Sequence, residues 1–183
     1  MGKVIGGMVM SLDGYINDNE GSVARLYPDL AGLVATPELQ EMMRTTGAVV
    51  MGRRSYEMAE GDFTGYEFQT PIFVVTHQVP AQVARGENER LRFHFVTDGI
   101  ASAVAQAKAA AGNQNVEVIG GASTIQQALK EGVLDVLSLY IMPVFLGGGT
   151  RLFDGPIPAS LELETTRQIE SPKMIYLRLR VVK

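Results

Sequence analysis

Apolar and polar positions alternate with two different periods along this chain, and the switches between them mark its elements. Residues 3–10 (KVIGGMVM) are almost unbroken apolar, as expected for a central strand buried on both faces. From Ser11 to Thr36 the periodicity disappears for about 26 residues, a loop length that is usually functional. A helix is predicted from Pro37. Thr36 is its N-cap, proline takes the first helical position, Glu38 lies in the first turn, and Leu39, Met42 and Met43 share one side. Residues 48–51 read as a short buried strand, and Gly52 turns the chain into a short helix through Tyr56 and Met58. Further strands are predicted at 72–76, 93–97, 116–119 and 136–143, with helices at 100–111 and behind Gly120-Gly121. Residues 161–169 and 174–181 flank Ser171-Pro172 as a closing hairpin. Strands alternate with helices first, and strands alone end the chain. One domain over 1–183 is expected, an α/β sandwich with a mainly parallel central sheet and an antiparallel C-terminal edge.

Composition changes this picture little but closes several routes. Apolar residues make up 46% and charged residues 20%, ordinary for a globular chain of 183 residues. With no cysteine, disulfides, thiolate-bound metals and thiol nucleophiles are excluded. A net charge of −4 argues against a nucleic-acid partner. The longest strongly apolar run, 136–146, contains Pro143 and falls short of the roughly 20 residues that cross a bilayer, so no membrane partner is expected. The N-terminus has no secretory pattern, so a cytoplasmic location is expected.

Three motifs carry candidate chemistry, each where a strand ends. Ile119, Gly120, Gly121, Ala122, Ser123 and Thr124 place glycines and hydroxyls at a helix start, where free N–H groups attract a phosphate. The bland alternative is a tight turn with a Ser/Thr cap. Gly52, Arg53, Arg54, Ser55 and Tyr56 put two arginines in a first helical turn, against the helix dipole, which a bound anion would relieve. The alternative is a solvated pair. Thr76 and His77 end a third strand, with His77 read as a capping or surface residue before a catalyst. Ligands of parallel sheets bind beyond the carboxyl ends of the strands, so one extended phosphate-bearing ligand, such as a dinucleotide, accounts for all three. His94 alternates with two phenylalanines and reads as solvent-facing. Lys108, Lys130, Arg178, Arg180 and Lys183 read as solvated charges.

Together, MSLDG at 10–14, VMGRRSY at 50–56 and GGAST at 120–124 resemble the dihydrofolate reductase superfamily. GVLD at 132–135, Pro143, LGGG at 146–149 and Leu152-Phe153 narrow the resemblance to the reductase domain of the riboflavin-biosynthesis deaminase-reductase in stand-alone form. The resemblance implies a dihydrofolate-reductase-like fold, NADPH as cofactor, hydride transfer without metal, and a homodimer. It assigns Gly52, Arg53, Arg54 and Ser55 to the cofactor phosphates, Thr76 and His77 to the adenosine end, and the segment from Ile119 to Thr124 to the pyrophosphate, with a cis Gly120–Gly121 bond. Met10 and Ile16 would touch the cofactor as well. Residues 11–19 would lie over the nicotinamide, with Asp13 and Glu38 as catalytic candidates and Tyr15 and Tyr56 toward the substrate. The implied substrate is a pyrimidine- or pterin-like compound, foremost 5-amino-6-(5-phosphoribosylamino)uracil. Dihydrofolate and a non-catalytic NADPH or folate sensor are the alternatives. The chain departs from true dihydrofolate reductases in having no tryptophan and from the riboflavin enzyme in lacking the zinc-deaminase half.

Overall fold

In a computed structural model, which describes residues 2–171 and 173–182, eight strands form one sheet in the order β4-β3-β2-β5-β1-β6-β8-β7. The strands are β1 (Val4–Ser11), β2 (Thr46–Gly52), β3 (Ile72–Val75), β4 (Phe93–Val96), β5 (Asn115–Val118), β6 (Val136–Met142), β7 (Glu162–Ser171) and β8 (Met174–Val182). The helices are α1 (Leu30–Val34), α2 (Pro37–Thr45), α3 (Arg53–Glu57), α4 (Ile100–Ala111) and α5 (Ala122–Lys130). Strands β1 to β6 pair in parallel, while β8 runs antiparallel to β6 and β7 antiparallel to β8. This is the expected mainly parallel sheet with an antiparallel C-terminal edge. Met1, Lys183 and Pro172, half of the expected Ser171-Pro172 turn signal, lie outside the described residues.

The period-two alternation of each strand sends its side chains to two separate layers. Val4, Val50, Val116, Val118, Leu137 and Leu139 pack against the apolar sides of α4 and α5. On the opposite face Val49, Met51, Ile72 and Val74 meet Tyr56, Phe63, Phe68 and Leu91. Further along that face Val9, Tyr140 and Tyr176 meet Leu26, with Leu33 and Leu39 against them. The predicted N-cap of α2 is present: Thr36 Oγ1 accepts a hydrogen bond from Leu39 N.

The loop after β1 is clasped rather than free. Ile16 N donates to Thr150 O, Leu152 N to Gly14 O, and Thr150 N to Asn17 Oδ1. Gly149 explains part of the LGGG motif. Its φ is +119°, and a Cβ there would stand 2.0 Å from Asn17 O, so only glycine lets the two loops touch.

Candidate functional site

The three motifs end neighbouring strands, β3, β2 and β5, and the fold brings them to one edge of the sheet. Gly52 N donates to Gly120 O, and a Cβ on Gly52 would lie 2.4 Å from Thr124 Oγ1. The starts of α3 and α5 therefore meet through bare backbone. The Gly120–Gly121 peptide is cis, as the resemblance implied. Gly120 has φ +78°, and a Cβ on it would meet Met8 Cε at 2.7 Å; Ser55 Oγ stands 3.5 Å away. Gly121 has φ −73°, and a Cβ on it would find only Ser55 Oγ nearby, at 3.9 Å, so the backbone that demands glycine is at 120. A shallow cradle rimmed by Ser55, Gly120, Gly121 and the first turn of α5 results, a shape and donor set that fit a pyrophosphate.

Other predicted cofactor residues divide. Arg53 is paired with Glu57 at 2.6 Å, both about half exposed, so a neighbouring carboxylate answers the charge conflict that suggested an anion. Arg54 is exposed and has no ion pair among the described residues. Thr76 is buried and spends its hydroxyl on Gln78 O at 2.8 Å, while His77 is exposed. Ser123 Oγ accepts from Gln127 Nε2. Met10 and Ile16 are half-buried against the α4–α5 layer.

Tyr56 is corrected. It is 6% exposed, packs its ring against Phe63, Phe93 and Phe95, and accepts a hydrogen bond from Ala84 N at 2.6 Å through its hydroxyl, so it is packed in the core and does not line the groove described below. Tyr15 pairs with Arg151 in an isolated bridge, and the Arg151 guanidinium lies 4.5 Å over its ring.

Asp13 serves the clasp. Its carboxylate accepts from Ser11 Oγ at 2.6 Å, Gly147 N at 2.8 Å and Leu146 N at 3.1 Å. The Ser11 hydroxyl, with these two amides, holds its pKa down to about 2, so it is an anion with its lone pairs engaged and a poor proton donor. Glu38 has a largely buried carboxylate that bonds Arg167 Nη2 of β7 at 2.9 Å.

A groove of about 260 Å³ runs beside the cradle, walled by Tyr27, Leu30, Leu33, Leu39, Met42 and Met43 and floored by Gly7, Met8, Val9, Ile119 and Tyr140. Met8 and Ile119 belong to both places, since Met8 touches Gly120 and Ile119 precedes it. An apolar slot with a few polar groups suits a flat small molecule. Burial pushes the Tyr27 hydroxyl up to about 12 and the Tyr140 hydroxyl upward as well. Sequence reasoning missed these wall residues, because apolar side chains at helical spacing look like core. It also missed Glu117, the charged residue within the apolar segment VEVI. Burial raises the pKa of Glu117 as it does that of Tyr140, and Arg178, expected to be solvated, is half-buried and close enough for its charge to oppose part of each rise.

A mainly parallel sheet with its glycine cradle at the strand ends and a slot beside it defines a dihydrofolate-reductase-like protein. The chain belongs to the RibD C-terminal domain family, whose model matches residues 2–174. A protein of Shewanella sp. PV-4 named for riboflavin biosynthesis has a similar structure, with TM-score 0.81 and 24% identity over 99% of both chains. The diaminohydroxyphosphoribosylaminopyrimidine deaminase/5-amino-6-(5-phosphoribosylamino)uracil reductase of Thermotoga maritima follows at 0.73 and 16%, over 99% of this chain and 57% of that one. Dihydrofolate reductase of Enterococcus faecalis, complexed with NADP(H), gives 0.64 and 18% over 99% and 97%. These likenesses establish the fold. Among the described residues no helix is long and apolar enough to cross a membrane.

Proposed function

We propose that this chain is an NADPH-dependent reductase of a small planar heterocycle, pyrimidine- or pterin-like, with 5-amino-6-(5-phosphoribosylamino)uracil the foremost candidate. The observation that carries the reading is the meeting of cradle and groove at Met8, Ile119 and Gly120. A dinucleotide held by its phosphates there would present its other end to a molecule lying in the slot. The family and the named activity of the Thermotoga neighbour support the same class.

NADPH, when bound, supplies a hydride. The chain's own residues bind and orient. Gly52, Gly120 and Gly121 keep the backbone low enough for a pyrophosphate, with Ser55 Oγ and the first-turn amides of α5 as donors. Arg54 has its guanidinium free for the 2′-phosphate that separates NADPH from NADH. The apolar walls exclude water, and Asp13 positions the loop after β1 by tying it to residues 146–147. Reaction of this kind depends on orientation more than on a special side chain.

Loss of NADPH absorbance with the aminouracil ribotide, dihydrofolate and pterins tests the reading, alongside fluorescence titration of NADPH and NADH. NADPH is expected to bind at least about tenfold tighter than NADH, with Arg54→Gln removing most of that preference. No oxidation with any heterocycle, or equal affinity for the two cofactors, overturns it. A homodimer is proposed too. The apolar strand β6 lies inside the sheet between β1 and β8, so the surface proposed for the dimer is the exposed β7 edge of the C-terminal hairpin. Light scattering that returns the 19.8 kDa mass of one chain contradicts a dimer.

A further inference from the structure

Among the described strand residues, Glu117 is the one whose buried side-chain oxygens are left without a hydrogen-bond partner. It sits in the middle of β5, paired with Ile5 of β1 on one side and Val49 of β2 on the other, and is 0% exposed. Val116 and Val118 point into the α4–α5 layer, so alternation turns Glu117 to the groove face, the face of Ile119. Neither carboxyl oxygen has a hydrogen-bond partner among the described residues. Buried polar side chains are nearly always satisfied, and an orphaned carboxyl is costly.

The space beside it is what makes this a site. Gly7 lies in the groove floor, half-buried although its strand is central. A Cβ built on Gly7 would meet a single atom within 4 Å, Glu117 Oε2 at 3.7 Å. With no side chain at Gly7 the groove floor comes close to the carboxyl, whose oxygens are themselves covered and do not line the groove, and a glycine inside a strand commonly marks such a close approach. Burial raises the pKa of this carboxyl to about 8, against the opposing pull of Arg178. Near neutral pH it is thus an uncharged acid. In that form it offers one O–H donor and a carbonyl acceptor side by side.

We propose that Glu117 is a specificity-determining residue that recognises, past Gly7, a ring edge carrying a carbonyl next to an N–H. A lactam edge, as in a pyrimidinone or pterinone, presents the complementary acceptor and donor. A cation is disfavoured at the same place, since Arg178 faces the carboxyl from β8 and Tyr140 borders it from β6. The inference rests on the heterocycle-reductase reading above and names the feature of the substrate that the slot selects.

The test uses full-length protein saturated with NADPH and two probes, 5,6-diaminouracil, which has lactam edges, and 2,4,6-triaminopyrimidine, which has amines in their place. Calorimetric titration at about pH 6 and about pH 9 brackets the carboxyl's pKa of about 8. The parent is expected to prefer diaminouracil and to weaken on going to the higher pH. Glu117→Gln, which keeps a donor and an acceptor but cannot ionise, should bind at the lower pH within about threefold and retain only the ligand's own pH dependence. Glu117→Leu should lose about tenfold or more. Gly7→Ala leaves Glu117 intact, fits at ordinary contact distance, and should weaken diaminouracil by a similar factor; it also decides the matter if the leucine variant fails to fold. Parent-like binding by Glu117→Leu or Gly7→Ala overturns the proposal, as does equal or absent binding of the two probes by the parent. Failure of the parent to bind NADPH, read separately by fluorescence, overturns instead the reductase reading.

Discussion

Replacing Glu117 by glutamine removes a proton-linked penalty whose size the structure sets. In the folded chain burial holds the carboxyl's pKa at about 8, against an ordinary value of 4.5 for the unfolded chain. Below 4.5 both states are protonated and the group costs only its burial. Between 4.5 and about 8 the folded state holds one proton more than the unfolded state, so stability falls by about 1.4 kcal/mol for each pH unit gained. Across that interval the loss accumulates to roughly 4–5 kcal/mol, a large fraction of a typical domain's 5–15 kcal/mol, and above about 8 it stops growing. Glutamine has nothing to titrate, so the parent should fall behind Glu117→Gln progressively from pH 5 to pH 8. The other shifted carboxyls do not confuse this window. Asp13, Asp29 and Asp62 are all lowered, by the Ser11 hydroxyl, the Lys173 ammonium and the Thr64 hydroxyl first, so their contributions are lost only as pH falls below the usual carboxylate range. Urea unfolding at a series of pH values, with the slope of free energy on denaturant unchanged between proteins, provides the comparison. Parallel stability profiles for parent and variant between pH 5 and 8 would refute the assignment of a buried, orphaned acid.

One further substitution probes the cradle. Gly52→Ala forces a methyl to within 2.4 Å of Thr124 Oγ1 and should cost about 1–3 kcal/mol in urea unfolding; adding Thr124→Ala, which removes that oxygen, should recover at least about half. A Gly52→Ala protein as stable as the parent would show that α3 and α5 do not meet through bare backbone.

Much of the architecture was legible in the sequence because it depends on near neighbours along the chain. The order of elements, the Thr36 cap on α2, the extent of α4 and the hairpin of β7 and β8 follow from periodicity, propensity and turn chemistry acting over a few residues. The three motifs at strand ends were legible for the same reason, since a glycine and a hydroxyl after a buried strand announce a helix start. What the sequence could not settle depends on which strands lie side by side. The order β4-β3-β2-β5-β1-β6-β8-β7 interleaves distant segments, and this alone places β3, β2 and β5 edge to edge so that their motifs form one cradle. It also sends Tyr56 into an aromatic core. Alternation in VEVI sets Glu117 opposite Val116 and Val118, a signal the sequence reading passed over, but only the covering of the second face by α1, α2 and the loops makes that position dry. Local pattern determines which way a side chain points; the packing of distant segments determines what it finds there, and for Glu117 and Gly7 that is where the chemistry lies.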